Sequence, residues 1–134
     1  MSLDKALAEA MKTIPECLAG AYVDMSSGLL LSVKTLDSHP QEVLDMVAAA
    51  TSDLFDGPTV REIEASFHKS RGSEGEPKHY FQEFLIFSEN LLHVFLRTKQ
   101  YPDHAICFVC SKSTNVGMAL AKARMSMDKL TAAL

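Results

Sequence analysis

The sequence predicts an α/β fold of the α+β kind, one sheet covered by helices on both faces, and three observations carry that prediction. Two apolar β-type runs, Tyr80 to Phe87 and Leu91 to Arg97, meet at a polar Ser88-Glu89-Asn90 break, and a third follows a Tyr101-Pro102-Asp103 turn. Along the first run Tyr80, Gln82, Phe84, Ile86 and Ser88 point one way and Phe81, Glu83, Leu85 and Phe87 the other, because side chains alternate with a period of two. Both faces are largely apolar, so helices must supply a layer on each side. A further hairpin near the N-terminus brings the strands to five, in the order α-β-β-α-(α)-β-β-β-α.

Taken in order, Leu3, Leu7, Ala10 and Ile14 repeat at helical spacing and predict a first helix from about Leu3 to Thr13, capped by Ser2. Pro15 ends it, since it disfavours the α region for Ile14 and cannot donate the next hydrogen bond. Two strands then flank Met25-Ser26-Ser27-Gly28, a turn in which Gly28 can take a positive φ. Gly20 and Ala21 mark either a close approach over the first strand or a bulge.

Ser38 and Gln41 are spaced as a capping box around Pro40, which starts a second helix. Its stripe is Val43, Val47, Ala50 and Leu54, with Leu44, Thr51 and Phe55 adjoining, and Asp56-Gly57-Pro58 stops it. Val60, Ile63 and Phe67 read as a short further helix from Pro58, although Ile63, Ala65 and Phe67 also alternate as a strand does. Residues 71 to 78 are Gly-rich and charged and read as a surface loop. The last helix has Val116, Leu120, Ala123, Met127 and Leu130 as its buried stripe and Ser113 or Thr114 as its cap.

A chain of 134 residues with 47% hydrophobic content is read as one domain, 1 to 134, large enough to need no disulfide staple. No apolar run reaches the roughly 20 residues of a membrane span, and the polar N-terminus lacks an apolar signal core, so a soluble, cytoplasmic protein is expected. Net charge is −4 and uneven, with 15 acidic and 7 basic side chains in residues 1 to 90 against 2 and 6 thereafter. With no basic cluster, nucleic acid is excluded as a partner. The asymmetry fits either a protein partner or two halves that neutralise each other.

The chain offers little chemistry. Cys107 and Cys110 form a C-x-x-C, but residues three apart in a strand face opposite sides of a sheet, whereas a redox pair needs both sulfurs together. Cys17 makes the count odd, which fits reduced thiols. The histidines His39, His68, His79, His93 and His104 are scattered, without ligand spacing, and Glu62 and Glu64 read as solvated carboxylates. Met118, Met125 and Met127 read as core filling before binding face. No phosphate-binding glycine loop or nucleophile elbow occurs, so no catalytic residue, cofactor or metal is expected.

Ile14-Pro15, the Leu18-Ala19-Gly20-Ala21-Tyr22-Val23-Asp24 strand and Ser27-Gly28-Leu29 resemble the entry of the Roadblock family, the dynein light chain and bacterial GTPase-regulator domains. Ser113-Thr114-Asn115-Val116-Gly117-Met118 is similar to that family's Asn-aliphatic-Gly opening of the last helix. The likeness spans nearly the whole chain and departs at residues 57 to 78, where the family passes quickly from second helix to third strand.

The resemblance implies a five-stranded antiparallel sheet of profilin-like shape, with the first and last helices on one face and the second on the other. It also implies a non-catalytic homodimeric scaffold or regulator of small Ras-like GTPases, joined through the third strand and second helix. Carried onto this sequence, the dimer surface is Val43, Val47, Ala50, Leu54, Tyr80, Gln82, Phe84 and Ile86; the acidity of the second helix, with the 57 to 78 segment, suits a basic partner patch and makes Glu42, Asp45 and Asp53 the expected partner-binding acids. Two other classes stay open: a small-ligand sensor of profilin-like shape, and a thiol redox enzyme built on Cys107 and Cys110.

Overall fold

A computed structural model describes residues 2–36, 41–71, 79 and 81–134, with residues 41–46 described as helix backbone. The Ser38–Gln41 capping box, Pro40, the stretch 72–78, His39, Tyr80 and the side chains of Glu42, Val43, Leu44 and Asp45 lie outside the described residues.

Helix α1, Leu3–Thr13, starts where Ser2 Oγ accepts from the Lys5 amide at 3.2 Å, and ends with Ile14 in an extended conformation before Pro15. Strands β1, Cys17–Asp24, and β2, Leu29–Thr35, form the predicted hairpin, and Gly28 takes φ 73° in its turn. Asp24 stabilises that turn by accepting from the Ser26 amide (3.0 Å) and hydroxyl (2.6 Å). Helix α2, Gln41–Asp56, passes into α3, Pro58–Ser70, through Gly57, where a Cβ would sit 2.6 Å from the Asp53 carbonyl oxygen. Then follow β3, Glu83–Phe87, β4, Leu91–Arg97, β5, His104–Ser111, and α4, Val116–Ala132.

The five strands are antiparallel in the order β2-β1-β5-β4-β3, so β2 and β3 are the edges. Alternation sorts side chains onto two cores. Tyr22, Leu92, Val94, Leu96, Ile106, Phe108 and Cys110 face α1 and α4, while Ala21, Val23, Phe95, Ala105 and Cys107 face α2. The expected placement, first and last helices on one face and the second on the other, is what the chain adopts. At Gly20 the close approach is α1 itself: a Cβ there would meet Met11 Sδ at 3.1 Å and Leu7 Cδ1 at 3.2 Å. The bulges lie beside it, between Cys17 and Ala19 and between Tyr22 and Val23.

Several expectations are corrected. The third strand begins at Glu83, after Tyr80 and Gln82. Nor is it covered on both faces, since Leu85, Ile86 and Phe87 remain exposed. The residue that α3 buries is Glu64, whereas Ile63 and Phe67 face outward. Glu64 is therefore not a solvated carboxylate. The cap of α4 is Asn115, whose Oδ1 accepts from the Met118 amide at 2.9 Å. Thr114 and Ser113 are engaged elsewhere, donating to the Pro15 carbonyl (2.7 Å) and to Glu16 Oε1 (2.8 Å). Met127 fills the core as read, but Met118 and Met125 are exposed.

Three groups on this scaffold are shifted in the same sense. Hydrogen bonds from Arg124 hold Glu83 below the usual carboxylate range, those from Ser26 do the same for Asp24, and burial lowers the pKa of His93. A depressed histidine means that the unfolded chain takes up protons first, so stability falls as pH drops through about 6.5; the two carboxylates extend the loss below about pH 4. Calorimetric Tm is expected to decline on acidification, and His93→Gln is expected to flatten the upper part of that decline. An unchanged profile in the variant would remove His93 from the account.

Candidate functional site

The sequence-predicted residues that are described lie along β3 and α2, two elements that touch where Phe84 meets Phe55. At the two ends of the β3–β4 ladder the Arg97 amide donates to the Gln82 carbonyl (2.8 Å) and the Ser88 amide to the Leu91 carbonyl (2.9 Å). In an antiparallel pair bonded positions recur at every second residue, so the even-numbered residues bond to β4 and Glu83, Leu85 and Phe87 turn their backbone groups to the free edge. Leu85 is 40%, Ile86 36% and Phe87 52% exposed, which makes this edge apolar as well as unpaired among the described residues.

Phe84 points to the α2 side, where its ring meets Phe55 edge-on at 4.9 Å and Phe81 at 5.5 Å. It is half-buried and belongs in part to the chain's own core. On the opposite face Glu83 accepts two hydrogen bonds from Arg124 of α4, at 2.6 and 2.8 Å, which fixes the strand to that helix. Along α2, Ala48, Thr51 and Phe55 face the sheet, leaving Val47 and Ala50 exposed and Leu54 half-buried. Asp53 is exposed, and Gln82 is exposed beside the strand with its side-chain amide donating to the His79 carbonyl at 2.7 Å. Of the proposed surface, then, Val47, Ala50, Leu54, Gln82, Phe84, Ile86 and Asp53 are placed; Val43, Tyr80, Glu42 and Asp45 lie outside the described residues.

Behind this surface lies a charged junction. Arg97, 2% exposed, closes β4. Its guanidinium donates to the carbonyls of Phe81 (3.1 Å), Pro102 (2.6 Å) and Phe55 (3.0 Å) and to Asp56 Oδ1 (3.2 Å), and lies 5.0 Å from the centre of the Phe55 ring. A cation at the last carbonyls of α2 also suits the helix dipole. His79 Nδ1 is 3.4 Å from the same Asp56 oxygen and 3.9 Å from Glu64 Oε2. Among the described residues Asp56, Glu64 and His79 bring their ligand atoms within 4.8 Å of one another, close enough to hold a cation. Arg97 already supplies positive charge at Asp56, so the chemistry the junction performs is to lock α2, α3, the lead into β3 and the β4–β5 turn together. The sequence missed this cluster because Asp56, Glu64 and His79 follow no local spacing; the signal was an arginine at the end of an otherwise apolar strand.

Cys107 and Cys110 are both buried and occupy opposite cores, so the C-x-x-C does not assemble a redox pair. His104 Nδ1 lies 2.8 Å from the Tyr22 hydroxyl; burial pushes that phenol up to about 12, which leaves it protonated. Among the described residues a groove of about 480 Å3 runs along α3 and another of about 600 Å3 lies between α1 and α4. Among the described residues no helix is long and apolar enough to cross a membrane.

No family model matches the sequence. No curated protein matches it either. Solved structures do. A Roadblock/LC7 domain from Streptomyces avermitilis is 14% identical with TM-score 0.67, covering 98% of this chain and 97% of that one. An MglB with a tetrameric arrangement, also 14% identical, reaches TM-score 0.72 over 98% of this chain and 86% of its own. Profilin II from Acanthamoeba castellanii, 14% identical, has TM-score 0.58 over 98% of both chains. The sheet order, the two helices against one on its faces and these full-length likenesses give the chain a Roadblock-like fold, of the profilin-like α+β type.

Proposed function

We propose that this protein is a single Roadblock-like domain, cytoplasmic and non-catalytic, that pairs with a second copy of itself and binds a small Ras-like GTPase or a complex containing one. The observation that carries the reading is the apolar, unpaired edge of β3 beside the exposed flank of α2. An edge of that kind requires a partner strand, and isologous pairing about a two-fold axis supplies one. The ladder supports an axis at Leu85, where Glu83 of one copy would pair with Phe87 of the other. Such a dimer carries two α2 helices side by side above a continuous sheet.

Helix α2 carries Glu42, Asp45 and Asp53 besides the Arg97-bound Asp56, and no Lys or Arg, so the paired helices would offer negative charge suited to a basic patch on a partner. Affinity purification from the native cell, with the bound proteins identified, tests this. A small GTPase or a GTPase-containing complex is expected with the wild type and is expected to be lost on charge reversal at Glu42, Asp45 and Asp53. Recovery of no GTPase counts against the reading, and turnover of a small substrate by the purified protein ends it.

A further inference from the structure

The sequence pairs Cys107 with Cys110 by spacing, but the sheet pairs Cys110 with Cys17. These two residues are directly opposed Cα partners on the antiparallel β1–β5 ladder, at the step before Leu18 bulges out of register. Both point to the α1/α4 side: Cys110 is fully buried in that core and Cys17, half-buried, packs against it. Opposed residues on such a ladder have Cα atoms about 4.5–5.5 Å apart. That lies inside the about 4.4–6.8 Å spanned by disulfides, so the ladder spacing permits a bond here.

The two thiols are neighbours on that face; the Cys17 thiol donates to the Ala19 carbonyl at 3.4 Å, and the third cysteine, Cys107, is sealed in the opposite core.

We propose that Cys17 and Cys110 form a reversible thiol–disulfide site that reacts with a small-molecule disulfide of the glutathione type and closes a covalent bridge between β1 and β5. Accessibility assigns the steps. Cys17, the sulfur within reach of solvent, attacks one sulfur of oxidised glutathione as its thiolate and displaces a glutathione thiolate, which takes up the proton that Cys17 released. Cys110, adjacent and shielded, then loses its own proton and attacks Cys17 Sγ, expelling the second glutathione as a thiol. Two protein thiols become one disulfide while one small disulfide becomes two thiols, so electrons and protons balance.

The hydrogen bond between the two sulfurs, together with burial, holds the Cys17 proton above the usual thiol range, and the same bond lowers Cys110. Attack by Cys17 therefore draws on the small fraction of it that is thiolate, and the first step is expected to quicken as pH rises. The direct effect is local. Glu16, at φ 54°, and Pro15 already anchor the loop before α4 through Ser113 and Thr114, and the bridge would make that attachment covalent.

The full-length protein incubated with oxidised glutathione, quenched in acid and mapped by mass spectrometry, tests the site. The expected product has lost the mass of two hydrogen atoms and yields one cross-linked peptide pair, Cys17 with Cys110, with Cys107 a free thiol. Dithiothreitol restores the starting mass. Because the bridge encloses most of the chain, the oxidised form is expected to melt at least roughly 5 °C higher. Cys17→Ser, a change at a half-buried position that leaves the core thiols in place, is expected to form no intramolecular bridge and to show no such rise. A glutathione adduct that persists on Cys17, a bridge that includes Cys107, a bridge between two copies or three unmodified thiols would each overturn the proposal.

Discussion

Arg97→Ala is expected to lose about 3–5 kcal/mol of folding stability, read as a lower urea midpoint at unchanged slope. The guanidinium is buried and makes four hydrogen bonds to three separate stretches of chain. Its removal leaves three carbonyls without this donor and takes the guanidinium away from Asp56. Arg97→Lys is expected to recover only part of the loss, because one ammonium cannot span acceptors arranged around a planar fork. A loss below about 1 kcal/mol for the alanine variant, the range of exposed ion pairs, would mean that the junction decorates the fold without holding it.

Leu85→Pro is expected to convert the proposed dimer to monomer at micromolar concentration, measured by light scattering on a sizing column. The amide of residue 85 points to the free edge, so its loss leaves the β4 ladder intact while removing a donor from the inter-copy ladder. Leu85→Thr keeps that amide and is expected to remain dimeric. Phe84→Asp gives a less discriminating experiment, since Phe84 packs on Phe55 within its own chain and a charge there disturbs the monomer too. A wild-type protein that elutes as a monomer would remove the pairing outright.

These two residues also mark what the sequence could and could not disclose. Leu85 and its neighbours were legible, because an alternating run bounded by polar residues announces a strand, and Pro15, Gly28 and Gly57-Pro58 announce its companions' ends by their own backbone constraints. Arg97 was not. Its partners Phe55, Asp56, Phe81 and Pro102 come together only when the sheet order is set.

The same holds for Glu64, whose helix carries an apolar stripe that local periodicity assigns to the core while the ionic junction takes the opposite side inward. Cys17 opposite Cys110 is a matter of register across 93 residues, and Asn115 caps α4 because Ser113 and Thr114 are drawn toward the segment after α1. What sequence conveys well is local geometry; what it hides are choices made by distant strands.

The two edges of the sheet differ in a way that bears on how far assembly can run. Strand β2 also exposes leucines, but its ladder with β1 passes from Tyr22–Ser32 to Val23–Leu30, leaving Leu31 without a partner position, and Lys34 stands exposed near its end. A bulge bends and twists a strand, and a charge on it discourages a newcomer. A sheet with two receptive edges would recruit a copy on each side and grow as a fibre. In the proposed dimer one receptive edge would be used up by the pairing, so association through the sheet is expected to saturate at two copies, with higher concentration giving more pairs and not longer ones.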